Sequence, residues 1–198
     1  MSRSGIDSME AAVQLHREGR LEEAESVYRR VLLAEPTNPD ALHLLGVIAY
    51  QRKQFDEAAA FIDRAIAFAG GVPEYHNSLG NVYLARHLAG KAAVCYRKAL
   101  KLNPGYAEAH NNLGNVLREQ GELTAAIASY QRSLRLDPAC AEVQNNLGMA
   151  LAGQGRHIEA VAYYREAIRL KQGYCDALSS LGESLRILGR TEDAIALC

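Results

Sequence analysis

Apolar residues recur along the chain at helical spacing. Leu113, Val116 and Leu117 share one face of a first segment, Ile127, Tyr130 and Leu134 share one face of a second, and Gly121 stands between the two. The layout then repeats. The segments HNSLGNVYLARH, HNNLGNVLREQG, QNNLGMALAGQG and SSLGESLRILGR carry their Leu-Gly pairs 34 residues apart, at 79, 113, 147 and 181. This predicts an all-α chain of helical hairpins. A leader, 1–4, precedes repeats 5–38, 39–72, 73–106, 107–140 and 141–174, with a partial sixth at 175–198.

Small and large residues alternate by register. Ala24, Ala58, Ala92, Ala126, Ala160 and Ala194 hold one position of the second helix of each unit, helix B. Gly46, Gly80, Gly114, Gly148 and Gly182 hold one position of the first, helix A. Such positions suit close helix approach, and large residues fill the space between: Leu45, Leu79, Leu113, Leu147 and Leu181 on helix A, Tyr28, Tyr96, Tyr130 and Tyr164 on helix B. Gly19, Gly121, Gly155 and Gly189 sit where helix A should end in a left-handed cap, and Pro36, Pro104 and Pro138 where helix B should stop. Lys53 and His87 replace the turn glycine, while Gly70 and Gln172 replace the proline, so looser or differently shaped turns are expected there.

These positions resemble the tetratricopeptide repeat, a 34-residue helix–turn–helix with Leu-Gly in helix A, Ala and an aromatic in helix B, and a closing Pro. The resemblance runs from 5 to 198. It implies a right-handed superhelix of five complete hairpins and an incomplete sixth. Helices A would line a concave groove, helices B would form the convex back, and the fold would serve as a protein-interaction scaffold rather than an enzyme.

Helix A residues not used in packing define the expected groove. In the first units they are apolar: Ile6, Met9, Val13, Leu44 and Val47. This patch would accept an apolar side chain or a second copy of the chain, unless the leader covers it. From the third unit the face turns polar, with Asn77, Ser78 and Asn81, then Asn111, Asn112 and Asn115, then Asn145 and Asn146, then Ser179 and Ser180. A carboxamide both donates and accepts, so a row of them can satisfy the backbone of an extended peptide without demanding particular side chains. The expected partner is an extended polypeptide segment.

The Asn-Leu-Gly-Asn run of Asn112 to Asn115, with Ser78 to Asn81 close to it, resembles the repeats of the O-linked N-acetylglucosamine transferase family. There a ladder of groove asparagines holds acceptor proteins. The matching residues are Asn112 and Asn146, with Ser78 and Ser180 as imperfect matches, and Leu44 and Glu10 depart from the pattern. The resemblance raises an alternative, that these repeats are the acceptor-binding arm of a larger glycosyltransferase. The catalytic domain of that family has no counterpart in this sequence.

A second row, Asp40, Glu74, Glu108, Glu142 and Asp176, stands at the start of each helix A. First-turn carboxylates are favoured by the helix dipole by about 0.3–1 kcal/mol. As a groove-edge rail they would favour Lys or Arg in a ligand. The row argues against a co-chaperone module, whose groove grips acidic tails with cations from helix A, whereas Arg29, Arg97, Arg132 and Arg165 fall on helix B.

No metal, cofactor or catalytic site is expected. His16, His43, His76, His87, His110 and His157 do not converge, and the shared register of His76 and His110 points to packing between hairpins. Equivalent atoms of successive units lie about 10 Å apart, too far to share a metal. No Ser or Cys has a base beside it in a recognisable motif. Cys95, Cys140, Cys175 and Cys198 form no CxxC. With 22 Lys and Arg against 23 Asp and Glu the formal charge is −1, which supplies no basic field for nucleic acid. The N-terminus lacks a signal-peptide core and no run reaches a membrane span, so cytoplasmic residence is the expectation. The sequence stops at Cys198, inside the expected sixth helix B, as a segment of a longer array would.

Overall fold

The computed structural model describes residues 9–190 with 192 and 193. The leader, Ile6, Ala194 and Cys198 lie outside the described residues. Those described form eleven α-helices and no strand. They divide into two compact units, 1–102 and 103–198.

The first unit holds α1 (Met9–Arg17), α2 (Leu21–Ala34), α3 (Pro39–Gln51), α4 (Phe55–Phe68), α5 (Pro73–Ala85) and α6 (Ala89–Leu102). Proline at the first position, where no N–H is needed, opens α3 and α5. Asn38 caps α3, its Oδ1 accepting from the Ala41 N–H at 3.0 Å. The helices pair as three hairpins, α2 packs on α3, and α4 packs on α5. The second unit holds α7 (Ala107–Glu119), α8 (Leu123–Leu136), α9 (Ala141–Gly153), α10 (His157–Leu170) and α11 (Cys175–Ile187). It comprises two hairpins and the first helix of a sixth, with α7 against α9 and α9 against α11.

The interlock is steric. Ala24, Ala58, Ala92, Ala126 and Ala160 are fully buried. A Cβ on Gly46 would stand 2.5 Å from Ile62 Cγ1, and on Gly114 it would stand 2.6 Å from Tyr130 Cε1. Only hydrogen fits there. Gly80 and Gly148 meet Tyr96 and Tyr164 in the same way.

The turns differ from expectation. Lys53 and His87 do not loosen theirs: they take the left-handed backbone themselves, at φ 61° and 59°, where Gly121 and Gly155 have 79° and 78°. The hydrogen bonds also match. Lys53 N–H donates to Tyr50 O and Gln54 N–H to Ala49 O, both at 2.9 Å, just as Gly121 N–H donates to Arg118 O and Glu122 N–H to Leu117 O. Packing of the flanking helices dictates the turn and a side chain is tolerated at a conformational cost. Helix B also ends alike without proline: Ala69, Asp137 and Lys171 each donate to the carbonyl four residues back at 2.9 Å. A change of shape appears only beyond Gln172, where Gly173 takes φ 70°.

Candidate functional site

In the first unit, helix A residues enclose a cavity of about 600 Å³. From α1 come Met9, Glu10, Val13 and Arg17, from α3 come Asp40, His43 and Leu44, and Glu74 and Tyr75 of α5 close it beside Val72. The expected apolar patch is thus divided. Met9, Val13 and Leu44 share this cavity with three carboxylates, whereas Val47 lines a separate depression of about 190 Å³ with Tyr50, Ile62, Ser78 and Asn81.

The wall of the larger cavity is braced. The His43 ring lies 4.6 Å from the Tyr75 ring, the Tyr75 hydroxyl donates to Asp40 Oδ1, and His43 Nε2 is 2.9 Å from Ser78 Oγ. Burial pushes the His43 pKa down to about 4, against the opposing pull of Asp40. Burial and the Asp40 bond together raise the Tyr75 hydroxyl. Ser78 therefore does have a base beside it, contrary to expectation. Its surroundings suit structure: a histidine that stays neutral to about pH 4 is a poor base, and mid-helix N–H groups are consumed within α5.

His76 and His110 also differ from the simple packing role expected of them. Each ring Nε2 lies 3.0 Å from a carbonyl of the preceding turn, of Gly70 and Pro104 respectively, and Gln144 Nε2 reaches Pro138 O at 3.2 Å. One register thus ties each helix A to the end of the helix B before it.

The polar row separates by depth. Asn77, Asn111 and Asn145, which share a register, are only 3%, 8% and 3% exposed, and Asn146 is 9% exposed. Ser78, Asn81, Asn112, Asn115 and Ser180 are half-buried, and Ser179 is exposed. In the first unit Asn81 Oδ1 accepts from the Tyr96 hydroxyl at 2.8 Å. In the second, Asn115 Oδ1 accepts from the Tyr130 hydroxyl at 2.8 Å and from Asn146 Nδ2 at 3.1 Å. Asn146 Nδ2 also reaches Asn111 Oδ1 at 3.2 Å, and Asn111 Nδ2 lies 3.5 Å from Glu142 Oε1. Tyr164, whose own repeat has Met149 at the asparagine position, lies instead beside the Ser180 and Ser184 hydroxyls. Tyr28, with Val13 at that position, has a buried hydroxyl without a partner.

The acidic residues hold the first turns of α3, α5, α7, α9 and α11. Asp40 and Glu74 face the cavity, Glu142 meets Asn111, and Glu108 and Asp176 complete the row. The assignment of cations to helix B overlooked Arg118. It belongs to α7, three residues beyond Asn115, and lies beside the Tyr130 hydroxyl. Its place on the face of Asn115 was readable from the i, i+3 spacing.

Among the described residues no three His, Cys, Asp or Glu side chains are grouped to hold a metal, and no helix is long and apolar enough to cross a membrane. Cys95, Cys140 and Cys175 are free, and burial pushes the Cys95 thiol up to about 11.

Family models described as tetratricopeptide repeat match residues 15–82, 73–106, 95–128 and 140–172, and one described as TPR repeat matches 114–155. No curated protein matches in sequence. Among solved structures, MamA is 25% identical with a TM-score of 0.72, over 81% of this chain and 94% of that one. YrrB, described as a TPR protein with an unusual peptide-binding site, is 22% identical with a TM-score of 0.70, over 87% and 89%. PilF of Pseudomonas aeruginosa is 18% identical with a TM-score of 0.87, over 96% and 86%. The helical hairpins, the 34-residue register and the run of matches from 15 to 172 lead to one conclusion: the chain belongs to the tetratricopeptide repeat family of protein-interaction scaffolds.

Proposed function

We propose that the helix A faces bind an extended polypeptide, and that in the second unit Asn112, Asn115, Asn146 and Ser180 hold its backbone. The observation that carries this reading is the brace on Asn146. Its Nδ2 is fixed between Asn111 Oδ1 and Asn115 Oδ1, so the carboxamides are ordered before a ligand arrives. Preordering lowers the entropic cost of binding, and amides suit main-chain N–H and C=O groups of any sequence. Asn111 and Asn145 support the row from beneath, while Ser179 and Asn112 meet the ligand. In the first unit Ser78 and Asn81 have the corresponding role, with Asn77 below them. YrrB, of the same fold, is described as having a peptide-binding site, which supports the assignment of ligand class.

The test is the double substitution Asn112→Ala with Asn146→Ala. Affinity for a partner retrieved by the wild-type chain should fall about tenfold or more, with helicity retained. Unchanged affinity would remove the asparagines from the site. The acceptor-binding arm of a larger glycosyltransferase is a second reading, supported by the same Asn112 and Asn146. A sugar-nucleotide-binding domain encoded downstream of Cys198 would select it.

A further inference from the structure

We propose that the cavity of the first unit takes a Lys or Arg side chain of a partner polypeptide, together with an adjoining bulky apolar residue. This goes beyond backbone binding by the asparagines, and it rests on the chain being a peptide-binding scaffold.

The argument is one of complementarity. The cavity, about 600 Å³, is larger than one aliphatic side chain needs, and its surface is mainly hydrocarbon from Met9, Val13, Leu44 and Val72. A purely apolar occupant would nevertheless be poorly matched. Glu10, Asp40 and Glu74 line the same space, against the single cation Arg17, leaving two negative charges in excess. A Lys or Arg side chain satisfies both halves: its methylene stem covers apolar surface and its charged end stays at the rim among carboxylates.

The brace behind the cavity fixes where the charge lies. Tyr75 is buried, its hydroxyl donates to Asp40 Oδ1, and its ring packs on His43, which is held in turn by Ser78. Asp40 is therefore oriented from within the protein, and its remaining acceptor capacity is available to a ligand. The three carboxylates come from three successive helices A, so no single helix dipole accounts for their meeting around one cavity.

The experiment selects twelve-residue peptides from a random phage-displayed library on the whole chain. Affinities of the recovered peptides are then measured by fluorescence anisotropy. Three proteins are compared: wild type, the variant Glu10→Gln, Asp40→Asn, Glu74→Gln, and the variant Asn112→Ala, Asn146→Ala, each first shown to keep wild-type helicity. The expected result is a class of peptides with Lys or Arg beside Leu, Ile, Met or Phe. Their affinity should fall about tenfold or more in the first variant, and also between 0.05 and 0.5 M salt, while the second variant leaves it unchanged. Peptides weakened only by the asparagine variant would overturn the cavity proposal and keep the backbone-binding reading. Cavity-dependent peptides alone would do the reverse. Recovery of apolar peptides without a basic residue, or a dimeric mass in light scattering that is abolished by Leu44→Glu, would assign the cavity to another occupant and overturn the proposal.

Discussion

Tyr130 donates its hydroxyl proton to Asn115 Oδ1 at 2.8 Å, and the equivalent Tyr28 of the first hairpin, equally buried, donates to nothing. The difference lies fifteen residues earlier, where Val13 replaces the asparagine. Tyr130→Phe should therefore cost about 1 kcal/mol, the typical net worth of a hydrogen bond. Tyr28→Phe removes an unsatisfied group and should be neutral or stabilising. Urea unfolding of the two variants measures the contrast, and equal losses would contradict it.

Gly114 and Gly90 are both helical glycines with opposite surroundings. An added methyl at Gly114 meets the Tyr130 ring at 2.6 Å, whereas at Gly90 nothing lies within 4 Å. Gly114→Ala should cost about 1–3 kcal/mol by overpacking, outweighing its gain in helix propensity. Gly90→Ala should gain up to about 1 kcal/mol. Thermal melts of both variants give the signs directly.

Lys53 and His87 hold left-handed backbone at a cost that glycine would not bear. Lys53→Gly and His87→Gly should each stabilise the chain by a fraction of about 1 kcal/mol, because relief of strain is partly offset by the greater entropy of unfolded glycine. The same exchange in reverse, Gly121→Lys, should destabilise. Denaturant midpoints of the three variants check this.

His43 links stability to acid. Its native pKa of about 4 lies below the ordinary histidine value of 6.5, so between these limits the unfolded chain binds a proton that the native one does not. Stability from this group is complete above pH 6.5 and is lost as pH falls toward about 4, by about 3 kcal/mol at most. His110, lowered chiefly by burial, adds to the loss with the same sign. Urea midpoints should drop between pH 7.5 and 4.5, and His43→Gln should flatten that slope.

The hairpins were legible because one register recurs often enough for chance to be discounted: the Leu-Gly pairs and the buried alanines are read directly from spacing. The turns at Lys53 and His87 were not, since side-chain identity suggested a local preference that helix packing overrides. In the candidate site, spacing put Asn77, Asn111 and Asn145 on the polar row, but it gives direction around a helix without depth. How closely the next hairpin packs makes these three buried. The carboxylates around Met9 and Leu44 escaped notice for a related reason. They meet only when three helices separated in sequence are brought side by side.

The most direct test of the account is an NMR titration of the isotopically labelled chain with a selected extended peptide, following side-chain amide signals. The account predicts shifts of Asn112, Asn115 and Asn146, with backbone changes along α7, α9 and α11. Changes confined to the helix B surfaces of α8 and α10, with those asparagine signals unmoved, would contradict it.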